Sequence, residues 1–306
     1  MLESGPDSLG LSGRKYRKVS VITQNEKGIT LDALRYLEDV AAQFFPGGVH
    51  HVYETPTLDG LAKAVDTPLD PDDALASAPH TRYHQIVGTI LYLAVTTRPD
   101  LAWAAAMLSR RMATPTSWLL LQAERALMYA HSTRRLGITY KRGVADPRLS
   151  TTWAPPDVEG GSDSDWSVIR SMSGWGFAFV GGIVAWGAKK QPSIALSTME
   201  AEIMAGSAAA CEAVFLRGLF ADLGFPPSGP TTLLMDNTAA IDLAHDPTDH
   251  SKAKHIERRH LHIRELRARK IVDVRYVKSE KNAADIFTKH IPRSRFQTLR
   301  AMYMSG

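Results

Sequence analysis

Residues 141–162 divide this chain of 306 residues into two parts whose hydrophobic patterns differ. The segment is rich in Pro, Gly, Asp and Ser, which favour turns and loops. Apolar residues before it recur at helical spacing, whereas after it short apolar runs bounded by turn residues come first. We therefore predict a domain boundary in this segment.

The part before the boundary is predicted to be mostly helical. Residues 1–20 form a polar, loose leader, and residues 66–80 form an extended linker. A helical region runs from 83 to 136, with breaks at Pro99 and Pro115. An earlier helix, ended by Pro46-Gly47-Gly48, is predicted from the near-helical spacing of Leu31, Leu34, Leu37 and Val40.

The part after the boundary reads as strands first and helices later. The predicted elements are a hairpin of Trp175–Val180 and Ile183–Trp186 around Gly181-Gly182, an exposed turn at Lys189-Lys190-Gln191-Pro192, a helix from a Thr198 cap to Leu223, a strand at Thr231–Met235, a short helix at 238–244, a basic helix at about 251–270 and a strand at 271–277. Three strands, a helix, a strand, helices, a strand and a helix describe an α/β fold with a mixed sheet.

Composition narrows the class of protein. A hydrophobic content of 44% and a charged content of 22% are ordinary for a soluble globular protein. The single cysteine, Cys211, excludes a disulfide framework, and its alanine neighbours predict a small core residue. The N-terminus lacks the regions of a signal peptide, and no apolar run approaches a membrane span of about 18 residues. We expect an intracellular protein, cytoplasmic or nuclear, without a membrane partner.

Charge is distributed unevenly along the chain. Residues 250–300 contain 15 Lys and Arg and 5 Asp and Glu, so this segment carries +10 and the remainder carries −6. A basic segment of this kind can follow the phosphates of a nucleic acid, although a solvated helix face is the structural alternative.

Four carboxylates carry the chemistry: Asp163, Glu202, Asp236 and Asp285. They come from a first strand, a long helix, a strand end and a late helix, a pattern that suits hard divalent cations. Two such ions about 3.5–4 Å apart can hold both the attacking and the leaving oxygen of a phosphodiester. The pattern therefore predicts a nuclease that uses two Mg²⁺ ions, with Mn²⁺ as a substitute.

Two of the four acids have a close competitor in sequence. Asp165 would face the same side of a strand as Asp163, and either could be a turn aspartate; Asp163 is favoured. Glu200 is two residues from Glu202 on the same predicted helix. Glu202 is favoured because it shares its stripe with the small residues Ala205, Gly206 and Ala209. Glu200 better suits a surface salt bridge or a cap.

The other two acids have structural alternatives of their own. Asp236 ends an apolar strand and could also be a helix N-cap. Asp285 could be a first-turn helix acid that interacts with the helix dipole.

A histidine-rich stretch lies within the basic segment. The spacing of His250, His255, His260 and His262 does not place two of them at i and i+4, and no cysteine assists, so zinc is disfavoured. The residues predicted to contact nucleic acid are Lys189, Lys190, Asn237, Lys252, Lys254, His255, Arg258 and Arg259.

Residues 162–292 resemble the ribonuclease H domain of copia-type retrotransposon polyproteins. The matching stretches are Ser162-Asp163-Ser164-Asp165-Trp166, Arg170-Ser171-Met172-Ser173-Gly174, 189–202, Met235-Asp236-Asn237, 250–256 and Ala283-Ala284-Asp285-Ile286-Phe287-Thr288-Lys289. The resemblance implies a five-stranded mixed sheet flanked by helices. It also implies that Asp163, Glu202, Asp236 and Asp285 are the catalytic metal ligands and that an RNA–DNA hybrid is the substrate. The loop at 278–282 lacks the histidine that many cellular ribonucleases H carry.

Residues 29–140 resemble the C-terminal end of the neighbouring reverse transcriptase. The match rests on 67–71, 83–93 and Thr97-Arg98-Pro99-Asp100, and the polymerase Tyr-x-Asp-Asp motif is absent. The implied organisation is a leader at 1–25, a mostly helical reverse-transcriptase remnant at 26–145, a ribonuclease H-like domain at 155–292 and a C-terminal helix at 293–306. The expected function is cleavage of the RNA strand of a hybrid within a polyprotein. The alternative is an inactive nucleic-acid-binding remnant.

Overall fold

The computed structural model describes residues 20–26, 28–68, 70, 73–141, 158–167, 169–245 and 261–305. Its helices are α1 (Leu34–Phe44), α2 (Leu61–Asp66), α3 (Ser77–Thr96), α4 (Ala102–Ser109), α5 (Ser117–Ser132), α6 (Thr198–Asp222), α7 (Thr238–His245), α8 (His262–Ala268) and α9 (Arg293–Arg300). Its strands are β1 (Val21–Asn25), β2 (Gly28–Asp32), β3 (Ile138–Lys141), β4 (Glu159–Asp165), β5 (Met172–Phe179), β6 (Gly182–Lys190), β7 (Thr231–Met235) and β8 (Val272–Tyr276). Short 3₁₀ helices lie at Pro99–Leu101, Ser279–Lys281 and Ala283–Phe287.

The second half of the chain forms a five-stranded mixed sheet in the order β6-β5-β4-β7-β8. β4 and β5 pair antiparallel, as do β5 and β6, whereas β7 runs parallel to both β4 and β8. Because side chains alternate along a strand, neighbouring residues of β5 face opposite sides. Phe177 packs in the cluster with α6, α7 and α8, and Ala178 packs in the cluster with the N-terminal helices. The structure confirms the predicted α/β fold class and the five-stranded mixed sheet flanked by helices.

The β5–β6 hairpin turns one residue earlier than predicted. Val180 and Gly181 have φ angles of 44° and 86°, so these two residues form the turn, and Gly182 already pairs with Phe179. A Cβ on Gly182 would lie 2.7 Å from the Tyr140 ring, which explains the second glycine. β6 also continues through Lys189 and Lys190, so the exposed turn predicted there was wrong.

Helix α6 begins one residue earlier than predicted and uses a reciprocal cap. The Ser197 side chain accepts a hydrogen bond from the Glu200 backbone N–H (3.1 Å), and Glu200 Oε2 accepts one from the Leu196 N–H (2.8 Å). The cap expected at Thr198 was therefore wrong, and so was the core position expected for Cys211, which is exposed on this helix. By length and composition α6 could cross a membrane, contrary to the expectation that no apolar run approaches a membrane span. In the fold it is a core helix packed against β4, β5 and β7.

The N-terminal region is mostly helical, as predicted, but it also contains a three-stranded antiparallel sheet in the order β1-β2-β3. Leu31 pairs with Ile138 in this sheet, so its assignment to the first helix was wrong. The helix itself begins at Leu34 and ends at Phe44. The predicted leader at 1–25 overlaps β1, and its residues 1–19 lie outside the described part of the chain.

The two halves of the chain share one hydrophobic cluster. This cluster joins residues of α1–α5 to β5, β6, the 3₁₀ helix at Ala283–Phe287 and α9. Polar contacts cross the same junction: Trp186 Nε1 donates to the Ala94 carbonyl (2.6 Å), and the Tyr140 hydroxyl donates to the Ile183 carbonyl (2.8 Å). The halves are therefore packed together through a common core.

A buried polar network fixes α9 against the N-terminal half. The fully buried Arg98 makes a bidentate ion pair with Asp100, at 2.7 and 2.9 Å. The Tyr129 hydroxyl donates to the same carboxylate, and Arg300 of α9 donates to the Tyr129 oxygen (2.9 Å). Burial alone would raise the pKa of Asp100, but the Arg98 guanidinium holds that pKa below its ordinary value.

Candidate metal centre

The strand that carries Asp163 is built from small residues because large neighbours crowd it. A Cβ on Gly160 would lie 2.2 Å from the Phe177 ring. In the neighbouring strand, a Cβ on Gly174 would lie 2.6 Å from Thr288 Cγ2, and Gly174 pairs with Asp163. This crowding accounts for glycine at position 160 of β4 and at position 174 of β5.

Three of the predicted acids converge. Asp163 lies in β4, Glu202 in the second turn of α6 and Asp236 directly after β7, the parallel neighbour of β4. One carboxylate oxygen from each lies within 4.8 Å of the other two. Asp163 and Glu202 are buried, while Asp236 is partly exposed. The group can therefore hold a divalent cation.

Glu202 is oriented by β4. Its Oε1 accepts hydrogen bonds from the Ser164 backbone N–H (3.1 Å) and the Ser164 hydroxyl (2.9 Å). Its Oε2 is buried and has no hydrogen-bond partner among the described residues. Burial, and then the Asp236 charge, raise the pKa of Glu202 to about 7. A buried carboxylate oxygen without a donor is costly, and a metal ion would satisfy it.

Asp163 is held by two residues that directly follow the 3₁₀ helix Ala283–Phe287. The Thr288 hydroxyl donates to its Oδ2, and the Lys289 ammonium lies 3.4 Å from the same oxygen. Burial raises the pKa of Asp163 well above its ordinary value, and the neighbouring carboxylates Asp285 and Glu202 raise it further, against the opposing effect of Lys289.

Asp285 lies next to this group and is neutralised by two cations. It is fully buried in the 3₁₀ helix Ala283–Phe287, a short turn instead of the regular late helix expected from the sequence. Its Oδ1 lies 2.9 Å from Lys289 Nζ, and its Oδ2 pairs with Arg295 of α9. Asn282 anchors this turn by donating to the Ser162 carbonyl (3.0 Å). The structure therefore places Asp285 beside Asp163 across Lys289, outside the three-acid group.

The competing acids have other positions. Glu200 is buried and caps α6, so of its two expected roles the cap is observed, and no salt bridge joins it to another described residue. Asp165 is partly buried at the end of β4 and is absent from the three-acid group found among the described residues. The cap of α7 is Asn237, whose Oδ1 accepts from the Ala240 N–H (2.9 Å), so Asp236 does not have that role.

The residues predicted to contact nucleic acid are only partly described. Lys189 is exposed on β6, whereas Lys190 lies 3.4 Å from Asp66 of the N-terminal half. Asn237 caps α7. The remaining predicted contacts lie outside the described residues: Lys252, Lys254, His255, Arg258 and Arg259.

Sequence reasoning assigned no role to four residues that orient or neutralise the acids: Ser164, Thr288, Lys289 and Arg295. The i,i+4 spacing of Asp285 and Lys289 was an available signal, because oppositely charged residues at that spacing meet on one helical face. Burial would lower the pKa of Lys289, yet Asp163 and Asp285 raise it overall. The other contacts join elements distant in sequence and leave no local pattern.

Fold and site together define an α/β protein whose mixed sheet carries a cluster of acids able to hold a divalent metal ion. No family model matches the chain. It is 28% identical over 282 residues to the retrovirus-related Pol polyprotein from transposon TNT 1-94 of Nicotiana tabacum, covering 91% of this chain and 20% of that protein. It is 30% identical over 283 residues to the corresponding polyprotein from transposon RE1 of Arabidopsis thaliana, covering 87% of this chain and 19% of that protein.

A shorter relative is matched over most of its length. Secreted RxLR effector protein 161 of Plasmopara viticola is 42% identical over 141 residues, which cover 44% of this chain and 90% of that protein. The chain belongs to the same family as this protein, and its similarity to the copia-type Pol polyproteins supports an origin as a fragment of a retrotransposon Pol polyprotein. The chain spans about a fifth of the length of the two polyproteins.

Proposed function

We propose that this chain is a metal-dependent endonuclease of the ribonuclease H type, which cuts the RNA strand of an RNA–DNA hybrid as part of a Pol polyprotein. The observation that carries the proposal is the convergence of Asp163, Glu202 and Asp236 beside the neighbouring strands β4 and β7. The strand order and the relationship to Pol polyproteins support it.

The residues present fit a divalent ion. Three carboxylates supply oxygen ligands, and the unpartnered Oε2 of Glu202 lies among them. When bound, Mg²⁺ would supply a Lewis acid that makes water more acidic and stabilises charge on the phosphate oxygens. Ser164 holds Glu202 in its ligating orientation, and Thr288 does the same for Asp163. Discrimination of RNA from DNA would depend on contacts to the 2′-OH.

The test is a gel assay of an RNA–DNA hybrid labelled on the RNA strand, with Mg²⁺, Mn²⁺ or EDTA. We expect cleavage with either metal and none with EDTA. Asp236→Asn removes a ligand charge and should lower the rate on the order of 100-fold or more. The matched control is Asp242→Asn, which changes an exposed aspartate on α7 and should cleave like the wild type. Equal rates for the wild type and Asp236→Asn would contradict the proposal.

A second candidate function is hybrid binding without cleavage. The net charge of +10 in residues 250–300 favours it, since basic residues bind phosphates independently of a metal. This alternative predicts tight, strongly salt-dependent binding of the hybrid in EDTA and intact RNA after prolonged incubation with Mg²⁺. RNA cleavage that disappears in Asp236→Asn would exclude it.

A further inference from the structure

The Lys289 ammonium lies between Asp285 and Asp163, next to the three-acid group. Its Nζ lies 2.9 Å from Asp285 Oδ1 and 3.4 Å from Asp163 Oδ2, so it bridges two carboxylates that come from different elements. A second ion beside the three-acid group would need these same two carboxylates as ligands. Mg²⁺ binds carboxylate oxygens at about 2.0–2.1 Å and could not share the position with an ammonium group.

The partners of Asp285 strengthen this arrangement. Lys289 contacts one of its carboxylate oxygens, and Arg295 contacts the other. Both oxygens are thus already paired with a cation, and Arg295 also donates to the Ser279 carbonyl, which holds its guanidinium in place. Asp285 therefore forms ion pairs with two basic side chains, Lys289 and Arg295.

Asp163 separates the two positions. Its Oδ2 accepts from Thr288 and faces Lys289, whereas one of its oxygens also lies with those of Glu202 and Asp236. The carboxylate therefore borders a metal position on one side and an ammonium position on the other. The buried Oε2 of Glu202 and the buried Oδ1 of Asp285 both lack a hydrogen-bond partner among the described residues. Asp285 Oδ1 lies 2.9 Å from the Lys289 ammonium, whereas Glu202 Oε2 belongs to the three-acid group, where a bound cation would satisfy it.

We propose that Lys289 replaces the second metal ion of this centre, so that the protein binds one divalent ion through Asp163, Glu202 and Asp236 and uses the Lys289 ammonium as a built-in cation between Asp163 and Asp285. This differs from the two ions expected from the sequence. Its role in hydrolysis rests on the proposed function, but the number of bound ions can be measured without substrate.

The test is the stoichiometry of Mn²⁺ binding to the full chain, measured by isothermal titration calorimetry and by the loss of the free-Mn²⁺ electron paramagnetic resonance signal. We expect one bound ion in the wild type. Lys289→Met removes the ammonium and leaves two facing carboxylates, so the number should rise to two. The matched control is Lys281→Met, which removes an exposed ammonium from the adjacent segment and should leave the number at one.

The outcomes are distinguishable. Two tightly bound ions in the wild type would overturn the inference, and this measurement needs no variant that might fail to fold. A folded Lys289→Met protein that still binds one ion would overturn it as well. One bound ion together with an uncut hybrid would contradict the proposed function and leave this inference standing, since the ion count does not depend on cleavage.

Discussion

The substitution Glu202→Gln should make the metal-free protein more stable at neutral pH. Burial and the Asp236 charge raise the pKa of Glu202 from its ordinary value of 4.5 to about 7. Between these two pH values the folded state binds more protons than the unfolded state, so stability falls as pH rises through this window. Each pKa unit corresponds to about 1.4 kcal/mol, which gives a penalty of about 3 kcal/mol above pH 7. Glutamine carries no charge, so the variant does not incur this free-energy penalty.

The assay is urea unfolding in EDTA at pH 5 and pH 8. Glu202→Gln should be more stable than the wild type by about 1 kcal/mol at pH 5 and by about 3 kcal/mol at pH 8. Glutamine can still accept the hydrogen bonds from Ser164 and would place an amide donor near Asp236. Mn²⁺ at about 100 times its Kd should stabilise the wild type by about 2.7 kcal/mol and the variant by much less.

The matched control is Glu200→Gln, on the same helix and also buried. Because Glu200 serves the cap, its replacement should cost about 0.5–1 kcal/mol and should not alter the response to Mn²⁺. The reasoning would be refuted if Glu202→Gln gave the same difference in unfolding free energy at both pH values, or if it destabilised the protein at pH 8.

Two further substitutions test the support of the site. Arg98→Met leaves Asp100 buried without its ion-pair partner and should lower the free energy of unfolding in urea by about 3–5 kcal/mol. The control Arg134→Met breaks a partly exposed ion pair and should lower it by less than about 1 kcal/mol. Similar losses in the two variants would contradict the assigned role of the buried network. Gly174→Ala places a methyl group against Thr288 and Phe287, so it should lower the free energy of unfolding by about 1–3 kcal/mol. It should also weaken Mn²⁺ binding measured by calorimetry. Unchanged binding would show that the turn holding Thr288 tolerates displacement.

Local patterns predicted much of the fold. The order of strands and helices after residue 158 followed from hydrophobic periodicity and turn residues, because each of those elements has its own local signal. The positions of Asp236 at a strand end and of Glu202 on the long helix have local signals of the same kind. Glu202, favoured over Glu200 because of the small residues on its stripe, is the glutamate that lies with Asp163 and Asp236, and Ala205, Gly206 and Ala209 on that stripe are all buried.

Long-range pairing explains most of what the sequence did not predict. β2 pairs with β3 across more than 100 residues of chain, and neither short strand is distinctive on its own. The contacts of Thr288 and Lys289 with Asp163 span a similar separation. Gly182 looked like a turn residue, but its position is set by the Tyr140 ring from the other half of the chain. Such requirements arise only when distant elements pack together.

Helix α9 links the N-terminal half to the residues around the three-acid group. One of its arginines, Arg295, binds Asp285, and one turn and a half later Arg300 binds Tyr129 of the buried Arg98 network. A shift of α9 would therefore move the cation that holds Asp285, and Asp285 in turn holds Lys289 against Asp163. The packing between the halves thus helps to position the cations that pair with Asp285, and the three-acid group found among the described residues contains no member from the N-terminal half.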